Sequence, residues 1–157
     1  MNILFVCTGN ICRSPTGEAV LRKLAQDAGL SHLSIDSCGT HGYHVGDPPD
    51  DRARHAGTRR GYDFSGQRAR KLEVRDFETF DLILAMDRGH RDRLLKAAPT
   101  MHAGKVRLFL EYAPGMGRQD VPDPYYGGSD DYELALDLIE AGCRGILAMA
   151  ATQEASP

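Results

Sequence analysis

The sequence lacks the features that would assign it to several common protein classes. It has no excess of basic residues, since 19 Lys and Arg stand against 22 Asp and Glu, for a formal charge of −3. A weakly acidic chain is a poor candidate for non-specific nucleic-acid binding, which depends on a basic surface. It also has no apolar run of about 18 residues, so no membrane span is predicted.

Cysteine and histidine are present without the spacing of metal sites. The four cysteines contain no Cys-x-x-Cys pair and the six histidines no His-x3-His pair. Because zinc sites usually show such pairs, neither a metal nor another cofactor is expected. Residues 1–6 are apolar without a basic leader and are predicted not to be a secretion signal. A cytoplasmic protein with reduced thiols is therefore expected.

The 157 residues do contain an alternation of strand and helix patterns. Their length fits a single domain over 1–157. Apolar runs and amphipathic stretches predict strands at 2–7, 33–37, 81–85 and 105–109, helices at 14–28, 51–61, 88–97 and from 129, and a frayed tail at 153–157. The alternation indicates an α/β fold, a parallel sheet with helices on both faces. Ligands bind such sheets at the carboxyl ends of the strands.

The turn after the first strand carries candidate chemistry. The strand ends at Cys7, a turn containing Gly9 follows, and Ser14-Pro15 suits a helix start with Ser14 as its cap. Inward backbone N–H groups and a helix N-terminus can bind an anion, and Arg13 can add a bidentate fork. These groups favour a thiolate at Cys7, placed to attack phosphorus. The alternative is a structural cysteine beside an ordinary turn.

Two common phosphate-binding patterns are absent from this turn. It contains no Gly-x-Gly-x-x-Gly dinucleotide fingerprint, and no Gly-Lys-Ser/Thr of a nucleotide-binding loop.

A second candidate lies in the Pro- and Gly-rich segment 113–128. Loops longer than about 12–15 residues are usually functional or disordered. Asp123-Pro124 could bring a carboxyl group to the anion, where a general acid would protonate a leaving phenolate. Tyr125 and Tyr126 could flank an aryl group. The alternative is that these residues only form turns and have no catalytic role.

The segment from Val6 to Pro15 closely resembles the phosphate-binding loop of the low-molecular-weight protein tyrosine phosphatases, and residues 8–14 are called the phosphate loop below. Further segments resemble the same family in order, at 36–40, 44–46, 69–70, 84–87 and 123–127. The resemblance covers residues 2–147. It implies a small doubly wound, Rossmann-like sheet of four parallel strands.

The resemblance also implies a role for each matching residue. Cys7 would be the nucleophile, Arg13 would bind the phosphoryl group, and Asp123 would be first the acid and then the base. Inorganic phosphate or another oxyanion would be held by Thr8, Gly9, Asn10, Ile11, Cys12, Arg13 and Ser14. Support of the loop is expected from Asn10, Ser14, Ser37 and Gln67, and the substrate pocket from Ile11, Tyr43, Tyr125 and Tyr126.

Two positions carry further expectations from the family. Gln67 stands where relatives often have a His bonded to the loop Asn, so a retained but altered network is expected. In relatives, a cysteine at the position of Cys12 forms a reversible disulfide with the nucleophile, a redox role consistent with a reactive thiolate.

The expected function is metal-independent hydrolysis of phosphotyrosine in proteins through a cysteinyl-phosphate. A tyrosine kinase is among the candidate protein substrates, and a monomer or weak dimer is expected. Arginine phosphatases and sugar-phosphate phosphatases of the same fold are alternatives, although Ile11 is the tyrosine-type residue at a position where arginine phosphatases carry Thr.

Two further readings have less support in the sequence. An arsenate reductase needs cysteines in the middle of the chain, and none lies between Cys38 and Cys143. A silent phosphotyrosine-binding module would typically lose the nucleophile or the acid, whereas Cys7, Arg13 and Asp123 are all present.

Overall fold

The computed structural model describes residues 1–155, with side chains up to Gln153. The helices and strands in this range alternate along the chain as the sequence predicts. Their bounds are β1 Asn2–Cys7, α1 Arg13–Asp27, β2 Ser34–Gly39, α2 Asp51–Arg59, α3 Asp76–Thr79, β3 Leu82–Ala85, α4 Arg88–Ala97, β4 Val106–Leu108 and α5 Ser129–Ala155. Short 3-10 turns occupy Thr100–Lys105, Phe109–Tyr112 and Pro114–Met116.

The strands form one parallel sheet in the order β2-β1-β3-β4. The chain moves from β1 to one neighbour, β2, and then crosses β1 to the other neighbour, β3. The carboxyl end of β1 is therefore the point where the winding reverses, which is where such sheets bind ligands. The predicted α/β fold class, a doubly wound sheet of four parallel strands, is confirmed.

The sheet is buried on both faces at its centre because the two central strands, β1 and β3, are almost wholly apolar. Ile3, Phe5 and Cys7 of β1 pack on one face with α1, α2 and α5. Leu4 and Val6 pack on the other face with α3 and α4. A strand buried in this way reads as a continuous apolar run, the pattern that predicted β1. Among residues 1–155, no helix has the length and apolarity that crossing a membrane requires.

The structure corrects three details of the sequence prediction. Helix α1 begins at Arg13, and the hydroxyl of Ser14 turns toward the phosphate loop instead of capping the helix. Residues 62–76, for which no helix or strand is predicted, add a bridge from Lys71 to Gly39 of β2 and lead into α3. Helix α5 continues to Ala155, so the predicted tail is wrong for its first three residues, and residues 156–157 lie outside the described range.

Helix α1 lies close to the sheet because Gly17 has no side chain. A Cβ at this position would come within 2.6 Å of Phe5 Cδ1 and 2.9 Å of Met86 Cε. Both neighbours are completely buried. The close approach sets the distance of α1 from β1 and hence the shape of the phosphate loop, which joins them.

We expect Gly17→Ala to lower the free energy of unfolding by about 2 kcal/mol, since overpacking a tight contact outweighs the better helix propensity of Ala. Chemical denaturation would measure the change. Gly104→Ala is the matched control, because a Cβ at Gly104 meets open space. Equal stability of the two variants would contradict the role of Gly17.

Candidate active site

The phosphate loop lies at the carboxyl end of β1, with Cys7 at its base. Cys7 is only 3% exposed, and its Sγ lies 3.0 Å from the hydroxyl oxygen of Ser14. Within the described part of the chain, the backbone N–H groups of Gly9, Asn10, Ile11 and Cys12 donate to no partner. These amides and the N-terminus of α1 form a concavity suited to a tetrahedral anion.

Asn10 holds this loop from within. Its backbone has φ of 60°, in the left-handed region that non-glycine residues rarely adopt. The side-chain amide nitrogen donates to the hydroxyls of Ser14 at 2.8 Å and Ser37 at 3.0 Å. The amide oxygen accepts from the backbone N–H of Arg70 at 3.0 Å. Three hydrogen bonds thus tie one strained residue to α1, β2 and the segment after α2.

The network continues from Ser37 to a buried carboxyl group. Ser37 Oγ donates to Glu18 Oε1 at 2.7 Å, and Glu18 also pairs with Arg22 at 2.7 Å. Burial raises the pKa of Glu18, while the hydrogen bond from Ser37 opposes that shift. A line of hydrogen bonds therefore runs from Cys7 through Ser14, Asn10 and Ser37 to Glu18. No sequence signal singles out Glu18, which looks like an ordinary helical residue.

Gln67 supports the loop by a different route from the expected bond to Asn10. Its Nε2 donates to the backbone oxygen of Pro15 at 3.0 Å, at the start of α1. The side-chain oxygen of Asn10 accepts from the Arg70 backbone instead. The altered network thus reaches the loop through α1.

Arg13 is buried, with 4% of its surface exposed, and is held mainly at one end. Its Nη1 donates to Asp87 Oδ2 at 2.8 Å and to the backbone oxygen of Val121 at 3.0 Å. Its Nη2 lies 3.6 Å from Asp123 Oδ2. Sequence reasoning assigned no role to Asp87 or Val121. Asp87 had one usable signal, because it follows β3 at the same sheet edge as the phosphate loop.

Asp123 is the less constrained of the two carboxylates near Arg13. Its side chain is 46% exposed, and Oδ1 accepts from the backbone N–H of Tyr125 at 3.1 Å. Two residues earlier, the N–H of Val121 donates to the backbone oxygen of Met86 at 2.9 Å. The loop is thus anchored to the end of β3 at Val121, which places Asp123 over the phosphate loop.

The open side of the site is an aromatic-walled cavity of about 330 Å³ above Cys7. All four predicted pocket residues line it: Ile11, Tyr43, Tyr125 and Tyr126. Tyr125 and Tyr126 stack edge to face with their centroids 4.9 Å apart. His44, for which no role is predicted from the sequence, completes the wall. It covers Gly9 so closely that a Cβ there would lie 2.9 Å from the His44 ring.

Cys12 lies in the loop but differs chemically from Cys7. Its Sγ is 3.8 Å from the Tyr132 hydroxyl of α5. Burial raises the pKa of Cys12 to about 12, so the group is a neutral thiol at ordinary pH. All four cysteines are free and buried in this structure.

The chain is similar to known proteins over nearly its whole length. Residues 2–156 match the family model described as low molecular weight phosphotyrosine protein phosphatase. A low molecular weight protein-tyrosine-phosphatase of Streptomyces coelicolor is 47% identical over 150 residues, which cover 93% of this chain and 91% of that protein.

Solved structures show the same similarity. A protein tyrosine phosphatase of Entamoeba histolytica, crystallised with Hepes in its active site, has a TM-score of 0.94 and 36% identity, covering 98% of this chain and 99% of that one. The arginine phosphatase YwlE has a TM-score of 0.86 and 28% identity, covering 99% and 97%.

We expect Asn10→Ala to be less stable than Asn10→Gly, although Ala ordinarily stabilises a chain relative to Gly by about 0.4–1 kcal/mol. Both variants lose the three side-chain hydrogen bonds, which costs about 2–4 kcal/mol because their partners are buried. Only Ala also retains the strain of a positive φ, about 1–2 kcal/mol. Urea denaturation gives the order. If Ala were the more stable variant, the left-handed backbone would not be a constraint on this loop.

Proposed function

The chain belongs to the low molecular weight phosphotyrosine protein phosphatase family, and from that premise we propose how its own residues perform the reaction. The protein is a protein tyrosine phosphatase, and a cysteine-based mechanism is characteristic of its family. The observation that carries the assignment of roles is the position of Cys7. Its sulfur lies beneath unpaired loop amides, beside the anchored guanidinium of Arg13.

In the first step, the Cys7 thiolate attacks phosphorus and the bond to the tyrosine oxygen breaks. The amides of residues 8–14 and the Arg13 guanidinium bind the non-bridging oxygens as charge develops on them. Asp123, at the rim, donates its proton to the departing phenolate. Its position supports this role, since its half-exposed side chain can exchange protons with water and lies close to Arg13, the group that would bind the phosphoryl oxygens.

In the second step, water attacks the cysteinyl-phosphate and the bond between sulfur and phosphorus breaks. Asp123, now a carboxylate, takes a proton from that water. The Ser14 hydroxyl, 3.0 Å from Sγ, can donate to the sulfur as it leaves as a thiolate. Inorganic phosphate then occupies the loop and dissociates. No step requires a cofactor.

The aromatic wall supports a phosphotyrosine substrate in a protein. Tyr43 and Tyr125 can pack against a phenyl ring, and Ile11 gives the base of the cavity an apolar side. Arginine and sugar phosphates lack that ring, so the wall gives them less apolar contact. We infer that they are poorer substrates.

Several wider properties belong to the same proposal. Residues 1–157 form a single phosphatase domain that acts as a monomer or weak dimer in the cytoplasm, with a tyrosine kinase among its protein substrates. Peroxide would oxidise the Cys7 thiolate to a sulfenic acid, and the Cys12 thiol would then displace water to give a disulfide. Because the disulfide would consume the nucleophilic thiolate, the reduced form would be the active one.

We expect phosphate release from a phosphotyrosine peptide, and much less from a matched phosphoarginine peptide, with a chelator present. Cys7→Ser should reduce release by at least about 1,000-fold, because the attacking thiolate is lost. Cys143→Ser is a control for the loss of a buried thiol, since Cys143 lies in α5 and its thiol contacts the backbone oxygen of Gly17. Release chiefly from the arginine peptide, or release abolished by the chelator, would overturn the assignment.

Asp123→Asn should slow phosphotyrosine hydrolysis by about 10²–10³-fold, because the amide cannot donate a proton to the phenolate. An aryl phosphate with a good leaving group, such as p-nitrophenyl phosphate, should be slowed less. Asp120→Asn is the matched control in the same loop, since Asp120 pairs with Arg88 at the surface. Equal slowing of both substrates would argue against Asp123 as the acid.

A further inference from the structure

His90 is a buried side chain that the mechanism above does not use. It lies in the first turn of α4, is 4% exposed, and contacts the phosphate loop from the side opposite Asn10. Its Nε2 is 2.9 Å from Thr8 Oγ1 and 3.5 Å from Arg13 Nη2. Its Nδ1 is 3.2 Å from Asp87 Oδ1, and its backbone N–H donates to that same oxygen at 2.8 Å.

These contacts define the protonation of the ring. The Arg13 guanidinium has only donors, so the Nε2 atom that faces it must present a lone pair. The Thr8 hydroxyl can donate to the same lone pair, and the ring proton then lies on Nδ1. That atom makes no hydrogen bond among the described residues, and its 3.2 Å approach to Asp87 Oδ1 is an electrostatic contact. Burial and the neighbouring Arg13 lower the pKa of His90 to about 4, against the opposing effect of Asp87 and Asp123. The ring is therefore neutral at physiological pH.

We propose that His90 is a positioning residue for phosphoryl transfer, accepting at Nε2 from both Thr8 and Arg13. This proposal rests on the proposed function of the phosphate loop. One contact fixes the first residue after the nucleophile. The other fixes Nη2, the end of the guanidinium that Asp87 and Val121 leave free.

The second contact matters because of the charge on Asp123. Without a neutral acceptor, the nearest partner of Nη2 is the Asp123 carboxylate, at 3.6 Å. A tight pair between them would turn the guanidinium away from the phosphate and favour the unprotonated carboxylate, which cannot serve as the acid. A neutral imidazole satisfies Nη2 without adding charge. A cationic ring would repel Arg13 and lose the hydrogen bond from Thr8.

The two sides of the loop are thus braced by different groups. On one side, Asn10 connects Ser14, Ser37 and Arg70, and on the other His90 connects Thr8, Arg13 and Asp87. The His90 side is the one that touches the guanidinium. Its loss should therefore affect oxyanion binding more than it affects the position of the thiol.

The test compares His90→Gln with His90→Asn. The Gln amide oxygen can reach the position of Nε2, whereas the shorter Asn amide reaches only the position of Nδ1. We expect Asn to reduce kcat/KM for a phosphotyrosine peptide about tenfold and to weaken inhibition by vanadate and inorganic phosphate about tenfold, as for loss of a hydrogen bond to a charged group. Gln should stay within about threefold of the wild type. His55→Asn, at an exposed histidine, is the control.

A second measurement does not depend on turnover. In the Cys7→Ser protein, nitrogen NMR of the His90 ring should show an unprotonated Nε2 and a protonated Nδ1, and Thr8→Val should shift the Nε2 signal. A protonated Nε2, or an equal loss in the Gln and Asn variants, would overturn the proposal. If both His90 variants fail to fold, the inhibition constants of Thr8→Val for vanadate and inorganic phosphate provide the test, and we expect both constants to rise. If the wild-type protein were inactive on phosphotyrosine, the proposed function would be rejected. Phosphate binding and the NMR signals would still test the positioning role of His90.

Discussion

The geometry of the active site depends on the three hydrogen bonds of the Asn10 side chain. The backbone N–H groups of a loop that face an anion site cannot also bond to the rest of the backbone. Such unpaired N–H groups would by themselves favour another conformation of the loop. Asn10 has a positive φ. Its side-chain amide nitrogen donates to Ser14 and Ser37, and its amide oxygen accepts from the Arg70 backbone. The loop is therefore shaped by the hydrogen bonds of the Asn10 side chain, and an incoming anion meets donors that already point at it.

The second constraint is the burial of Arg13. A guanidinium that is 4% exposed needs a permanent counter-charge, since an unpaired buried charge costs several kcal/mol. Asp87, at 2.8 Å, supplies it, so the buried guanidinium does not depend on the half-exposed Asp123 for its counter-charge. In the mechanism we propose, this division leaves the Asp123 carboxyl group available to the leaving oxygen of the substrate.

The sequence predicted those parts that depend on local pattern. The apolar run of β1 and the helical spacing of α4 placed both elements at their observed bounds, and Cys7, Arg13 and Asp123 followed from the motifs. Asp87, His90 and Val121 could not be predicted in the same way, because each acts on Arg13 across more than 70 positions of sequence. Ser14 shows the limit of local rules. A Ser before a Pro suits a helix cap. Hydrogen bonds with Cys7, Asn10 and the backbone oxygen of Cys38 instead direct its hydroxyl into the site.

The difference in solvent exposure between Cys7, at the base of the cavity, and the tyrosines at its mouth explains how such a site selects its substrate. Cys7 is only 3% exposed, whereas Tyr43 and Tyr126 at the mouth of the cavity are 72% and 92% exposed. A phosphate on a short side chain would have to bring its own backbone into the cavity to reach the sulfur, against those rings. A phenyl ring is long enough to span the wall while the peptide stays outside, and flat enough to gain contact with the tyrosines. In the function we propose, selection for the aryl ester therefore comes from the depth and shape of the cavity, while the polar groups of the phosphate loop serve to bind the phosphate.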